Sequence, residues 1–410
     1  IEAKRKFTYG DIYRVSNGLN SYFDKLGVQK GDRVAVFANN SVETILLFFA
    51  LQRRGATLVP INFRLASSEV RYILEDCDPR IVFYDGMTKS VSEQLLGLRR
   101  FVPMEDLESA VAEALQCKED RPFQTEGESP TLILYTSGTT GHPKGVVITP
   151  EILFWNSINT TMSLNVTAED SMVSFLPLFH TGGWNVLLTP FIHRGASFVF
   201  LRGFDAEQIV QLVDSEQLSI LFSVPTTLAM MVKTKAFQKA ALSSLRFVIV
   251  GGEPMPLSLI KTWHGKGVPI RQGFGLTECG PNCFSLSHKD AERKIGSIGR
   301  PNFYVQVRIV NDEGEDVAKG QIGELLLKGP MCMKRYWHND EATKNTFIDG
   351  WLKTGDLVKK DDEDYFFVVG RKKEMFISGG ENVYPAEVEK VLGLHPEIDE
   401  VAVIGVPDPK

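Results

Sequence analysis

Little in this 410-residue chain points to a disulfide scaffold, a zinc site, a nucleic-acid surface or a membrane span. The five cysteines, Cys77, Cys117, Cys279, Cys283 and Cys332, are odd in number, and none stands in a C-x-x-C pair. Neither a disulfide framework nor zinc ligation is indicated by that usage. No long basic run occurs, and 45 Lys plus Arg against 51 Asp plus Glu leave a net charge of −6. Nucleic acid is therefore not an expected partner. The longest apolar run in the first quarter, Ile45 to Leu51, is far too short to cross a bilayer. The opening residues include Glu2, Lys4, Arg5 and Lys6 and no apolar core, so no signal peptide is expected. Internal repeats and low-complexity tracts are absent too. A soluble, cytoplasmic enzyme is the expectation, with peripheral membrane contact left open.

The chain is long enough to bury a large core in more than one lobe. Short apolar strands alternate with amphipathic helices. Arg33 to Phe37 reads as a strand, and Ser41 to Arg53 as a helix opened by a serine cap. Ala56 to Pro60 and Ile81 to Tyr84 read as further strands, with Ser67 to Glu75 a helix between them. The pattern recurs at 197–201, 218–224 and 245–250. Such alternation predicts an α/β fold with parallel-rich sheets covered by helices. From about residue 295 the texture turns β-rich, with strands at 305–310, 323–328 and 365–369. A charged connector, Gly370 to Glu374, then leads into a strand at 375–377, a helix at 385–394 and a last strand at 400–404. The expected organisation is a large N-terminal domain over 1–370, with a β-rich subdomain over about 295–370. A smaller α+β lid occupies 371–410 and is only partly present, since about 40 residues are too few for a sound domain.

Residues Tyr135 to Gly145, YTSGTTGHPKG, carry the strongest chemical signal. Glycines let backbone approach a ligand and turn N–H groups toward it, while hydroxyls and Lys144 add donors and one positive charge. That mixture suits a polyphosphate; a flexible Ser/Thr/Gly connection is the plainer alternative. The stretch is preceded by the apolar strand Thr131 to Tyr135. It is followed by Val146-Val147-Ile148, either another strand or the approach to a helix. A Walker loop needs Gly before its lysine and Ser or Thr after it. Here Pro143 precedes Lys144 and Gly145 follows, so a P-loop kinase or ATPase is disfavoured by spacing.

Further segments carry weaker signals. Gly273-Phe274-Gly275-Leu276-Thr277-Glu278 sets an aromatic face, a hydroxyl and a carboxylate beside two glycines. Phe274 suits stacking on a purine, Thr277 a phosphate contact, and Glu278 a hard ion such as Mg²⁺. Taken alone, the segment reads equally as a turn with a core Phe and a surface Glu. Gly251-Gly252-Glu253-Pro254 follows a strand, where ligands of α/β folds bind. Asp356, in Trp351 to Asp356, suits vicinal ribose hydroxyls or a plain Asx turn. Arg371 suits a ribose, a phosphate or a surface carboxylate.

The ordered set YTSGTTGHPKG, PLFHTGG, GGEPMP, GFGLTECG, GELLLKGP, WLKTGD and GRKKEMFISGGENVYPAEVE resembles the successive motifs of the AMP-forming acyl-adenylate superfamily. Acyl-CoA synthetases, luciferases and peptide-synthetase adenylation domains belong to it. The resemblance runs from about Phe7 to the last residue. It implies two steps: a carboxylate attacks the α-phosphate of ATP, releasing pyrophosphate, and a thiol then displaces AMP. It implies ATP, Mg²⁺ and CoA. Thr136, Ser137, Gly138, Thr139, Thr140, Gly141 and Lys144 would cradle the β and γ phosphates. Thr277 would contact the α-phosphate and Glu278 would bind Mg²⁺. Phe274, between Gly273 and Gly275, would stack on adenine where most members carry Tyr. Gly252, Glu253 and Pro254 would line the adenine site, and Asp356 and Arg371 would hold the ribose.

By the same resemblance His180 lies at the acyl carboxylate, and Trp184 stands where some long-chain fatty acyl-CoA synthetases place a gate. Lys373 occupies the hinge position, and Gly379, Gly380 and Glu381 belong to the face that receives CoA. No P-K-T-x-x-G-K-like segment, which carries the family's adenylation lysine, occurs here. A protein ending at Lys410 is therefore expected to bind ATP but adenylate very slowly. No charged residue near Phe179 offers a partner to an amino acid's ammonium, so a medium- or long-chain fatty acid is favoured. An aryl acid of coumarate or benzoate type stays open, and an amino acid is disfavoured. A catalytically inactive nucleotide-binding homologue is opposed by the presence of Lys144, Glu278 and Asp356. A homodimer is compatible with all of this.

Overall fold

The computed structural model describes residues 5–136, 142–253, 255–378, 381–392, 395, 398 and 401–406. Two large sheets organise them. The first runs in the order Phe101–Pro103, Ile81–Tyr84, Arg33–Phe37, Thr57–Pro60, Leu132–Thr136, Lys144–Ile148. Its pairs are parallel as far as Leu132–Thr136. Parallel neighbours need crossovers, and these are the helices the sequence announced. Helix Val42–Arg54 is one: the Ser41 hydroxyl accepts from the Thr44 amide, and Gly55 ends the helix at φ +72°. Positive φ favours glycine at such a C-cap. Val34 to Phe37 are all buried, as expected of a strand covered on both faces.

The second sheet contains Ser197–Phe200, Ser171–Ser174, Ile220–Ser223, Phe247–Val250 and Ile270–Leu276 as successive parallel neighbours. Beyond Ile270–Leu276 every pair is antiparallel: Gly280–Ser285, Ser297–Pro301, Phe366–Arg371, Trp351–Lys360, Gly323–Lys328 and Gln306–Val310. The β-rich stretch after residue 295 thus continues the hydrogen-bonded ladder of the α/β half. Strand Ile270–Leu276 is the seam, parallel on one edge and antiparallel on the other. One apolar cluster joins both sheets, from Val34 and Leu132 to Phe284, Leu325 and Leu352.

Two local readings are settled. Val146-Val147-Ile148 belongs to a strand, Lys144–Ile148, paired antiparallel with Leu132–Thr136. The expected strand at 400–404 does not form over residues 401–404, which have no strand partner among the described residues. The Val403 amide instead donates to Glu389 at 2.8 Å. After the charged connector, strand Phe376–Ser378 pairs antiparallel with Glu381–Val383, and helix Pro385–Leu392 follows. Among the described residues, no helix is long and apolar enough to cross a membrane.

Candidate active site

The strands on either side of the chemistry-bearing stretch pair antiparallel. Thr136 ends one strand and Lys144 starts the next, paired across the ladder. A Walker loop leads from a strand into a helix, whose N-terminus helps hold phosphate. Here the chain returns as a strand, so structure and spacing exclude that class together. Ser137, Gly138, Thr139, Thr140 and Gly141 lie outside the described residues, as do Pro254, Gly379 and Gly380. Gly145 is required by packing, because a Cβ there would come within 2.8 Å of Ile133 Cγ2. The loop's base is held from one helix of the first sheet, Ser67–Cys77. The Tyr135 hydroxyl donates to the Asp76 carboxylate, and His142 stacks on Tyr72 with ring centres 4.7 Å apart.

His180 is positioned by a tight turn. Its amide donates to Pro177 O at 3.2 Å, and the Gly183 amide donates to His180 O at 3.0 Å. A Cβ on Gly183 would lie 2.2 Å from Pro177 O, so only glycine fits. A π-helical turn, Gly182–Val186, follows. Such turns are rare and often sit at functional sites. Buried amides fix it: Asn156 Nδ2 donates to Asn185 O at 2.7 Å, and Asn282 Nδ2 to Val186 O at 3.1 Å. His180 shows a solvent-exposed face, yet enough protein surrounds the ring to push its pKa below the usual value. The positive charge of Arg64 adds to that shift. Both effects favour the neutral imidazole.

These pieces meet at a cleft of about 310 Å³ lined by Thr136, Pro143, His180, Thr181 and Thr277, together with Ile61, Asn62 and Tyr135. Glu278 follows Thr277 in a 3₁₀ turn, Thr277–Cys279, directly after the seam strand. Its carboxylate Oε1 accepts a hydrogen bond from the Tyr336 hydroxyl at 3.0 Å. Lys144 Nζ stands 5.3 Å from the centre of the same Tyr336 ring. Lys144 and Glu278, 134 positions apart in the numbering, are thereby joined through one tyrosine. Burial and the negative charge of Glu278 push the Tyr336 phenol up, so it stays protonated and can donate.

Asp356 and Arg371 are register partners on adjacent strands, and their side chains pair at 3.0 Å. Asp356 is only 7% exposed, and burial raises its pKa to about 6. The Arg371 guanidinium opposes that rise, while the charges of Glu278, Glu324 and Glu374 reinforce it. Asp356 therefore lies within the field of Glu278. Gly251 follows strand Phe247–Val250, and its missing Cβ would sit 3.5 Å from Gly273 O, so the two glycine segments are neighbours. Gly252, at φ +89°, and Glu253 are exposed. Phe274 is half-buried, with its ring edge-on to Phe284 at 5.7 Å. Gly275 answers a packing demand: a Cβ would approach the Pro281 carbonyl carbon to 2.3 Å.

Two sequence candidates stand apart from this cluster. Trp184 is fully buried, its ring 5.1 Å from that of Phe48, and its indole N–H has no hydrogen-bond partner among the described residues. Phe48 in turn lines a second, apolar pocket of about 230 Å³ with Phe49, Leu153, Phe154 and Ile192. Lys373 is exposed in the turn after Arg371. Its neighbour Lys372 is anchored to Asp312 at 2.9 Å and Glu324 at 3.0 Å. Tyr336 is the residue that sequence reading missed. It lies in a loop of mixed charge and aromatics, Lys334-Arg335-Tyr336-Trp337-His338, whose composition signals nothing about phosphate or metal.

Residues 1–337 match the AMP-binding enzyme family. Indoleacetate–CoA ligase of Aromatoleum aromaticum is 38% identical over 411 residues, covering 98% of this chain and 81% of the relative. The long-chain-fatty-acid–CoA ligase FadD13 of Mycobacterium tuberculosis is 36% identical over 413 residues, covering 99% and 81%. O-succinylbenzoate coenzyme A synthetase of Bacillus subtilis, solved with ATP and magnesium ion, superimposes with a TM-score of 0.90 at 30% identity, covering 100% of this chain and 84% of that one. On this sequence match and this fold, the chain belongs to the AMP-binding enzyme family.

Proposed function

We propose that the protein is an AMP-forming acid–thiol ligase. It activates a carboxylic acid with ATP and passes the acyl group to CoA. The observation that carries this reading is the cleft where Thr136, His180 and Thr277 meet, with Lys144 and Glu278 joined beside it through Tyr336. In the first step a carboxylate oxygen bonds to the α-phosphorus of ATP as the bond to the pyrophosphate oxygen breaks. In the second, a thiol sulfur bonds to the acyl carbon, AMP leaves with the former carboxylate oxygen, and the thiol proton passes to solvent or base. Both steps need positioning and charge neutralisation more than covalent help.

Magnesium fits the residues present. Among the described residues no group of three or more His, Cys, Asp or Glu could hold a metal. Mg²⁺ typically takes one or two carboxylates and completes its shell with phosphate oxygens and water, which suits Glu278. When bound, the ion neutralises charge on the phosphates. Lys144 adds positive charge at the start of its strand, and Thr277 donates to the α-phosphate. Neutral His180 orients the acid carboxylate through a hydrogen bond without forming a fixed ion pair. Asp356 and Arg371 hold the ribose, exchanging their mutual contact for its hydroxyls. Phe274 stacks on adenine beside Gly252 and Glu253. Lys373 serves as the hinge between residues 1–370 and the lid, with Lys372 clamping the near side.

A medium- or long-chain fatty acid is supported by the apolar pocket lined by Phe48, the ring neighbour of Trp184. An aryl acid is the second reading, supported by the 38% identity to an indoleacetate ligase and by the closed packing of Trp184. A panel of fatty and aryl acids, scored by AMP and pyrophosphate with and without CoA, tests both. Failure of every acid to stimulate AMP formation by the full-length protein overturns the proposal.

A further inference from the structure

The segment Met331 to Trp337 physically connects the two halves of the site. The Met333 amide donates to Glu278 O at 2.7 Å, fixing the backbone of the carboxylate turn. Three residues on, the segment zips along the free edge of strand Lys144–Ile148. The Val147 amide donates to Arg335 O at 3.3 Å, the Trp337 amide donates to Gly145 O at 2.7 Å, and Val146 and Tyr336 form a β-bridge. The Tyr336 amide donates to Thr343 Oγ1 at 3.0 Å, so the tyrosine backbone is held from a third side. Tyr336 itself is 5% exposed. Its hydroxyl reaches Glu278, and its ring face lies near Lys144.

We infer that Tyr336 is a positioning residue for the nucleotide–metal site, resting on the ligase reading above. Its hydroxyl holds the Glu278 carboxylate in one rotamer, and its ring holds the Lys144 ammonium by a cation–π contact. Alone, a glutamate in a short turn has three rotatable bonds to order when it binds a metal. A donor at 3.0 Å removes most of that freedom before the ligand arrives. Lys144 is likewise ordered by an aromatic face, which leaves its N–H groups free for phosphate, whereas an ion pair to Glu278 would satisfy both groups and close the site. The tyrosine keeps the cation and the carboxylate near each other without letting them neutralise one another.

The test separates hydroxyl from ring. Mn²⁺ binding is titrated by its paramagnetic resonance signal in the presence of α,β-methylene-ATP, which needs no turnover. Tyr336→Phe is expected to weaken Mn²⁺ binding about tenfold, the size of one lost hydrogen bond to a charged group. Its affinity for the analogue without metal should be unchanged. Tyr336→Leu should weaken the metal-free analogue as well, because Lys144 loses its support. In a Glu278→Gln background, Tyr336→Phe should add nothing, since the hydroxyl acts through that carboxylate. Wild-type Mn²⁺ affinity in Tyr336→Phe, or additive losses in the double variant, overturns the inference. Loss of the folded circular dichroism signal in Tyr336→Phe overturns it too, by making the hydroxyl a structural strut. Wild-type protein that binds neither the analogue nor Mn²⁺ instead overturns the ligase reading.

Discussion

Replacing Asp356 with Asn should make the protein more stable near neutral pH while impairing nucleotide binding. The carboxyl has its pKa raised from 3.8 to about 6, chiefly by burial, with Arg371 already counted as a partial offset. A carboxyl whose folded pKa lies above its unfolded value keeps a proton in the native state after the unfolded chain has lost it. Stability from this group is therefore complete below pH 3.8 and declines as pH rises through about 6. The rise of roughly 2 units corresponds to about 3 kcal/mol over the whole titration, from well below pH 3.8 to well above 6. An asparagine does not titrate, and Arg371, with its side chain 49% exposed, can return to water when its partner is neutral. Urea unfolding of both proteins at pH 4 and pH 7 measures the effect. Stability of the wild type relative to Asp356→Asn should fall by about 2–2.5 kcal/mol between the two, because the unfolded carboxyl is already more than half ionised at pH 4. AMP affinity of the wild type should rise over the same interval, as the carboxylate needed by the ribose ionises. A stability difference independent of pH refutes the reasoning, for it would mean that Asp356 is no more costly to ionise when folded than when unfolded.

Three further outcomes follow from individual contacts. Trp184→Ala should cost about 3–5 kcal/mol by urea unfolding, the usual toll of emptying a fully buried aromatic site. It should also extend the acid panel toward longer chains by opening the path to the pocket lined by Phe48, and an unchanged panel removes the gate role. Gly275→Ala places a Cβ 2.3 Å from the Pro281 carbonyl carbon and should cost about 1–3 kcal/mol or more; full stability would show that the two strands separate freely. Lys373→Pro, which fixes one backbone dihedral in the turn after Arg371, should spare acid-dependent pyrophosphate release and slow thioester formation at least about tenfold. Equal slowing of both steps argues against a hinge there.

The parallel-rich α/β half was legible because its strands are short apolar runs separated by capped helices. Ile81–Tyr84 matches the expected residues, and the Ser41 cap is where the serine suggested. Harder to read was the β-rich half. Its strands were recognisable, Gly323–Lys328 exactly as bounded by its flanking turns, but their continuation of the second sheet was not. Strand partners separated by many residues leave no periodic trace in sequence. The antiparallel pairing of 132–136 with 144–148 was left open because a run of three apolar residues fits a strand or a helix start equally. At the site, Lys144, Thr277, Glu278, Asp356 and Arg371 carry a chemical signature in the sequence, and the proposed ligase reading uses each of them. Tyr336 carries none, because the positioning role inferred for it comes from where an edge-strand loop places it. Gly275, read as a nucleotide contact, is demanded by the neighbouring Pro281 backbone, and Gly145 at the end of the Tyr135–Gly145 stretch is demanded by Ile133. Sequence cannot separate ligand contact from packing, since either one excludes a Cβ.

The nucleotide product is the most direct test of the ligase assignment. Full-length protein given ATP, Mg²⁺, CoA and a panel of fatty and aryl acids should form AMP and pyrophosphate in step with acyl-CoA, and only when an acid is present. Formation of ADP and phosphate, or no nucleotide product with any acid, contradicts the account.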